Sequence, residues 1–183
     1  MRELSMHIWD IAQNSIDAEA DKIVIIFSAD KNDDCLTIKI KDNGKGMDDE
    51  ALKKALDPFY TSKPSAKRGF GLPFFEMGAK QTGGSFAIAS KPKVGTVVKA
   101  SFVYSHIDRV PLGDIGYAIG HIICLNEEIE IEFILKTGDE RFYISTGSVK
   151  AVLENLTLKH PKVTELVCEF ISLNIQDIVA DLY

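Results

Sequence analysis

Asp42-Asn43-Gly44-Lys45-Gly46-Met47 follows an alternating run, Leu36-Thr37-Ile38-Lys39-Ile40-Lys41, and so reads as a strand end running into a tight turn. Glycine at 44 and 46 permits positive φ and lets the backbone approach a flat ligand closely. A carboxylate fixed at a strand end can accept an amino group in a charge-assisted hydrogen bond worth about 1.5–3 kcal/mol. Taken alone, the stretch also fits a surface turn. It does not fit a calcium loop of the EF-hand kind, because the carboxylate ladder and closing Glu are missing.

Working upstream, Ile23–Ser28 is dense in β-branched and aromatic residues, and Asp30–Asp34 reads as a turn. The two runs therefore form an antiparallel hairpin. Before it, Leu4, Ile8, Ile11, Ser15 and Ile16 recur at helical spacing across residues 3–19. His7, Asp10, Asn14 and Asp17 share one face of that helix. On its core side such a stripe calls for a polar neighbour, since a buried polar group without a partner costs about 1–3 kcal/mol. On its outer side it is a solvated face. The Asn14 amide oxygen suits Mg²⁺, which takes hard oxygen ligands and keeps several waters. Asp10, one turn earlier, can hold or deprotonate a water near a terminal phosphate.

Downstream, Asp48 can cap a short helix over about 49–56, which Pro58 stops. Residues 60–71 are polar, basic and glycine-containing, hence loop. A helix over Leu72–Gln81 follows, with Gly69-Phe70-Gly71 at its start, where helix amides and flanking glycines bind phosphate well. Lys63, Lys67 and Arg68 add positive charge to that loop. Ser85–Ser90 and Thr96–Tyr104 make a second hairpin. The order predicts an α+β fold, helices layered on one face of a mixed, mainly antiparallel sheet.

After Ser105 the organisation changes. Asp108–Gly113 reads as a connector, followed by a helix over Ile115–Leu125 and a hairpin from Glu128–Lys136 and Arg141–Ser145. Glu128, Glu130 and Glu132 alternate with Ile129, Ile131 and Phe133, one acidic face and one core face. Two terminal helices follow, Ser148–Leu156 and Val163–Leu182. The expected division is a unit carrying these motifs over 1–105 and a small α+β appendage over 106–183.

The 183 residues, 45% hydrophobic, suffice for one full core plus that appendage. A net charge of −6 gives no global attraction to nucleic acid or anionic lipid. Arg2, Glu3, Asp10, Asp17 and Glu19 interrupt any signal-peptide core, and no apolar run approaches the roughly 20 residues that span a bilayer. A cytoplasmic protein with reduced thiols at Cys35, Cys124 and Cys168 is expected. His121-x-x-Cys124 offers two ligands of a tetrahedral metal site, and no second pair completes it.

Together these segments resemble the GHKL superfamily, the ATP-binding fold of gyrase, heat-shock chaperone ATPases, histidine kinases and MutL-type repair proteins. Asp10–Ala18 resembles its N box, Asp42–Met47 its first glycine box and Gly69–Leu72 its second. Asp57-Pro58-Phe59-Tyr60-Thr61-Ser62-Lys63 is similar to the histidine-kinase segment leading into the ATP lid, and Gly95-Thr96-Val97-Val98 to the final strand. The match covers roughly residues 3–104. It implies a Bergerat-type α/β sandwich binding ATP with Mg²⁺. By the resemblance Asn14 coordinates the metal, Asp42 and Thr96 bind adenine, and Gly44, Gly46 and Met47 shape the base pocket. Gly69, Gly71 and Leu72 hold the phosphates and lid hinge, with Lys63 and Arg68 as lid contacts. Asp17, Phe59 and Phe70 lie in the same boxes and belong to the nucleotide-binding set.

Asp10 stands where hydrolysing members carry a Glu base, and aspartate is one methylene shorter. The lid, Pro64–Arg68, is short. The resemblance implies a regulatory protein of the histidine-kinase-like type, and a kinase acting on a partner protein is one reading. A nucleotide-gated interaction switch is the alternative, which the short lid and Asp10 favour. Only 13 residues precede Asn14, so no phospho-acceptor helices are expected ahead of it. His7 lies two turns, about 10 Å, from Asn14, too far to attack a phosphate held there. A MutL-like DNA-repair ATPase fits less well, since the chain is acidic and lacks a basic transducer domain.

Overall fold

The computed structural model describes residues 3–57, 71–153 and 156–180. Helix α1 (Leu4–Asp17) leads into the hairpin β1 (Lys22–Asp30) and β2 (Cys35–Asp42), followed by α2 (Asp49–Ala55). Then come α3 (Gly71–Gln81), the hairpin β3 (Ser85–Lys91) and β4 (Gly95–Val103), and α4 (Ile115–Leu125). A third hairpin, β5 (Glu130–Thr137) and β6 (Glu140–Ser145), precedes α5 (Thr146–Leu153) and α6 (Pro161–Ala180).

The strands form one sheet in the order β3-β4-β2-β1-β5-β6. All neighbours are antiparallel except β1 and β5, which run parallel. Register explains why the sheet has one buried face. Ile25 of β1 lies opposite Ile40 of β2 and Phe133 of β5, and Phe27 lies opposite Ile38 and Leu135. Ile38 in turn faces Ala100 of β4. Because side chains alternate, a slip of one residue would turn this whole apolar row to the other side.

The row is covered by Leu4, Ile8 and Ile11 of α1, Phe75 and Ala79 of α3, Ile119 and Ile123 of α4, and Val167 and Ile171 of α6. This is the Bergerat-type α/β sandwich. Residues 106–183 supply β5 and β6 to the same sheet and α4 and α6 to the same core.

The connector also closes the start of α1. The N–H groups of Leu4 and Ser5 donate to the carbonyls of Pro111 (2.8 Å) and Leu112 (2.9 Å). Those are two of the first-turn donors that a helix leaves without partners. Helix α4 crosses α6 at close range, because Gly116 and Gly120 present no side chain. A Cβ at Gly120 would stand 2.8 Å from the Cα of Cys168. Asp48 caps α2, accepting from the Ala51 N–H at 2.8 Å. Among the described residues, no helix is long and apolar enough to cross a membrane.

Candidate functional site

Asp42 is the last residue of β2, and only 7% of it is exposed. Its Oδ1 accepts from the backbone N–H of Gly44 (3.0 Å) and of Thr96 (3.1 Å). Its Oδ2 accepts the Ser15 hydroxyl of α1 at 2.9 Å. Three donors from three elements thus fix one buried carboxylate. Each carboxylate oxygen offers about two acceptor positions, so among the described residues Oδ2 retains one.

The turn after Asp42 is clamped from both sides. On one side the Lys45 N–H donates to the Ala18 carbonyl at the end of α1 (2.8 Å). A Cβ on Gly44 would meet that carbonyl oxygen at 2.6 Å, so only glycine fits. On the other side Lys93 N–H donates to the Lys45 carbonyl (2.7 Å), and Met47 N–H donates to the Ser90 hydroxyl (2.8 Å). Gly46 has φ +64, and a Cβ there would lie 2.0 Å from the Lys91 carbonyl oxygen. Ser90 also pairs with the Thr96 hydroxyl at 2.9 Å, joining the turn to the β3–β4 hairpin. Asn43 braces the outside, its Oδ1 accepting from the N–H groups of Asp21 (3.1 Å) and Lys22 (2.9 Å).

The α1 stripe runs outward along the helix rather than lying wholly in the core. His7 is buried, Asp10 is half-buried, and Asn14 and Asp17 are exposed. The Asp17 Oδ1 accepts from the Gln13 amide at 2.9 Å. The His7 ring lies 5.2 Å from that of Phe75 on α3, its Nδ1 has no hydrogen-bond partner among the described residues, and burial lowers its pKa to about 4. Asp10 faces the start of α3: a Cβ at Gly71 would stand 3.3 Å from Asp10 Oδ2. Gly71 is the first residue of that helix, and Leu72 after it packs on the core.

The structure therefore brings the Asp42 turn to the C-terminal end of α1 and to Thr96, and sets Asp10 against Gly71. Phe59, Lys63, Arg68, Gly69 and Phe70 lie outside the described residues. Sequence reasoning overlooked Ser15 and Ser90. Ser15 occupies an apolar-phase position on α1, and a hydroxyl in that phase was the available signal. His121 faces Cys168 (Nδ1 to Sγ, 3.2 Å) and the Tyr117 carbonyl (2.9 Å). Among the described residues no three His, Cys, Asp or Glu side chains group as metal ligands. Burial pushes the Cys168 thiol up to about 12 and that of Cys124 to about 11.

A family model described as histidine kinase-, DNA gyrase B-, and HSP90-like ATPase matches residues 2–105. The C4-dicarboxylate transport sensor protein of Pseudomonas aeruginosa is 31% identical over 98 residues, 50% of this chain and 16% of that protein. Sporulation kinase C of Bacillus subtilis is 34% identical over 95 residues, 52% of this chain and 22% of the relative. The chain thus spans less than a quarter of the length of these relatives. The N-terminal domain of a DNA repair protein superposes with a TM-score of 0.59 at 17% identity, covering 85% of this chain and 58% of that one. At that identity the likeness is one of fold. It takes in a larger share of the chain than residues 2–105 make up.

Proposed function

The chain belongs to the histidine kinase-, DNA gyrase B-, and HSP90-like ATPases, and from that membership we propose that it is an ATP-binding regulatory protein of the cytoplasm that passes the γ-phosphate to a partner protein. The observation that carries the proposal is the Asp42 carboxylate, buried and held by Ser15, Gly44 and Thr96. With Oδ1 doubly occupied, the remaining acceptor position on Oδ2 suits the amino group that adenine carries at C6, where guanine and hypoxanthine carry a carbonyl oxygen. The Gly44 and Gly46 backbone and the half-buried Met47 and Thr96 make the pocket around it.

The residues present suit Mg·ATP in other respects. Asn14 presents an exposed amide oxygen one turn beyond Asp10 on α1, a hard neutral donor of the kind Mg²⁺ accepts. The α3 N-terminus at Gly71 offers amides to a phosphate. Residues 1–105 carry the nucleotide in this reading, and residues 106–183 are a region outside the nucleotide motifs.

A second reading, a nucleotide-gated interaction switch with little turnover, rests on Asp10. Its carboxylate is one methylene shorter than that of a Glu base and sits against the first residue of α3. Following the γ-phosphate of labelled Mg·ATP separates the two readings. Label on a protein band, when cell lysate is added, supports transfer. Free labelled phosphate alone, or unreacted ATP, moves the protein to the switch reading.

A further inference from the structure

Helix α6 buries Val163, Val167, Ile171 and Ile175 against the core. A second face, turned roughly 110° from that one, carries Leu166, Phe170 and Leu173, exposed by 62%, 54% and 63%. At 100° per residue, Lys162, Leu166, Phe170, Leu173 and Asp177 all fall within about 80° of arc. They form one ridge about 22 Å long, apolar in the middle, basic at the N-terminal end and acidic at the C-terminal end. Lys162 and Asp177 are exposed and make no ion pair among the described residues.

We propose that this ridge is an interface between two copies of the chain, paired with their α6 helices antiparallel across a two-fold axis. The outer four residues of the ridge pair with one another when the helix is reversed. Reversing it about the midpoint between Glu169 and Phe170 sets Leu166 opposite Leu173 of the second copy and Lys162 opposite that copy's Asp177. Phe170 then lies beside the axis, opposite Glu169 of the second copy and near its own symmetry mate. That is the defining property of an isologous contact, in which residue i meets j while j meets i.

The charges supply a second argument. A cation in the first turn and an anion in the last turn both oppose the macrodipole of their own helix. Lys162 and Asp177 are placed in this way on α6, which has no acid in its first turn and no base in its last. An antiparallel neighbour reverses the situation. Lys162 comes to the negative end of the second helix and Asp177 to its positive end, and each also finds the opposite charge. A parallel neighbour would leave both charges opposed.

Sedimentation velocity on the full chain over a range of concentrations tests the proposal. The expected result is a mass that rises towards twice that of the monomer with concentration. Phe170→Glu should abolish that rise. Lys162→Glu and Asp177→Lys should each raise the dissociation constant by roughly 3- to 30-fold, since each pair occurs twice per dimer. The double variant, carrying both changes, should recover most of the loss because the swapped charges again face one another. Circular dichroism and nucleotide titration check that every variant is folded, and both charge positions are exposed. A chain that is monomeric at every concentration overturns the proposal, whether or not another protein binds the ridge. So does a double variant no tighter than the single ones.

Discussion

Ser15 and Asp42 stand 27 positions apart in the chain and are joined by a buried hydrogen bond of 2.9 Å, hydroxyl to carboxylate. It ties the last turn of α1 to the end of β2, and so fixes the helix that bears Asp10 and Asn14 relative to the turn that bears the glycines. Ser15→Ala removes a donor to a charged acceptor and leaves the carboxylate with one fewer partner. The expected cost is about 1.5–3 kcal/mol of unfolding free energy. Urea denaturation reads it, and a loss below about 0.5 kcal/mol would deny the bond that role.

Asn14 is exposed, so Asn14→Ala should leave stability nearly unchanged. Nucleotide affinity in Mg²⁺ should fall by about tenfold, or 1.4 kcal/mol, and by much less in EDTA. Titrations of ATP in the two buffers check this. An equal loss in both would remove Asn14 from the metal.

His7 makes stability depend on pH in a stated direction. Burial lowers its folded-state pKa to about 4 from the ordinary 6.5. Between those values the unfolded chain binds a proton that the native protein does not. Stability from this group is therefore full above about pH 6.5 and falls as pH drops towards 4, by at most about 1.4 kcal/mol per unit. His7→Leu keeps the contact with Phe75, removes the titration and deletes Nδ1, which has no partner among the described residues. Denaturation curves at pH 7 and pH 5 should differ less for the variant than for the wild type.

Gly46 and Gly138 separate two costs of adding a methyl group. Both have positive φ, +64 and +53. A Cβ at Gly138 meets nothing within 4 Å, whereas one at Gly46 would overlap the Lys91 carbonyl. Gly138→Ala should cost the left-handed strain alone, about 1–2 kcal/mol. Gly46→Ala should cost clearly more and also weaken nucleotide binding, because the turn must leave the β3–β4 hairpin. Paired denaturation measurements decide it; equal costs would show that the clamp on the turn yields freely.

Much of this was legible from local pattern. A dense β-branched run marked β1, alternation marked β2, and the Asp48 cap marked the start of α2. The paired boxes around Asn14, Asp42 and Gly71 pointed to the family. What local pattern could not reach was contact across the chain. Ser15 looked like one more member of an apolar phase, and only the packing of α1 over β2 turns its hydroxyl to Asp42. Likewise Lys22–Ala29 and Glu130–Thr137 read as members of separate hairpins, yet they pair in parallel, a crossover that alternation does not encode. The His7–Asp17 stripe was legible as a face, but its passage from interior to solvent depends on where α3 lies.

The most direct test of the account is a titration of the purified chain with Mg·ATP and Mg·GTP, repeated on Asp42→Asn. The account predicts that the wild type binds ATP in clear preference to GTP, and that the variant loses most of that preference. Equal binding of both nucleotides by the wild type, or a preference that Asp42→Asn leaves intact, would contradict it.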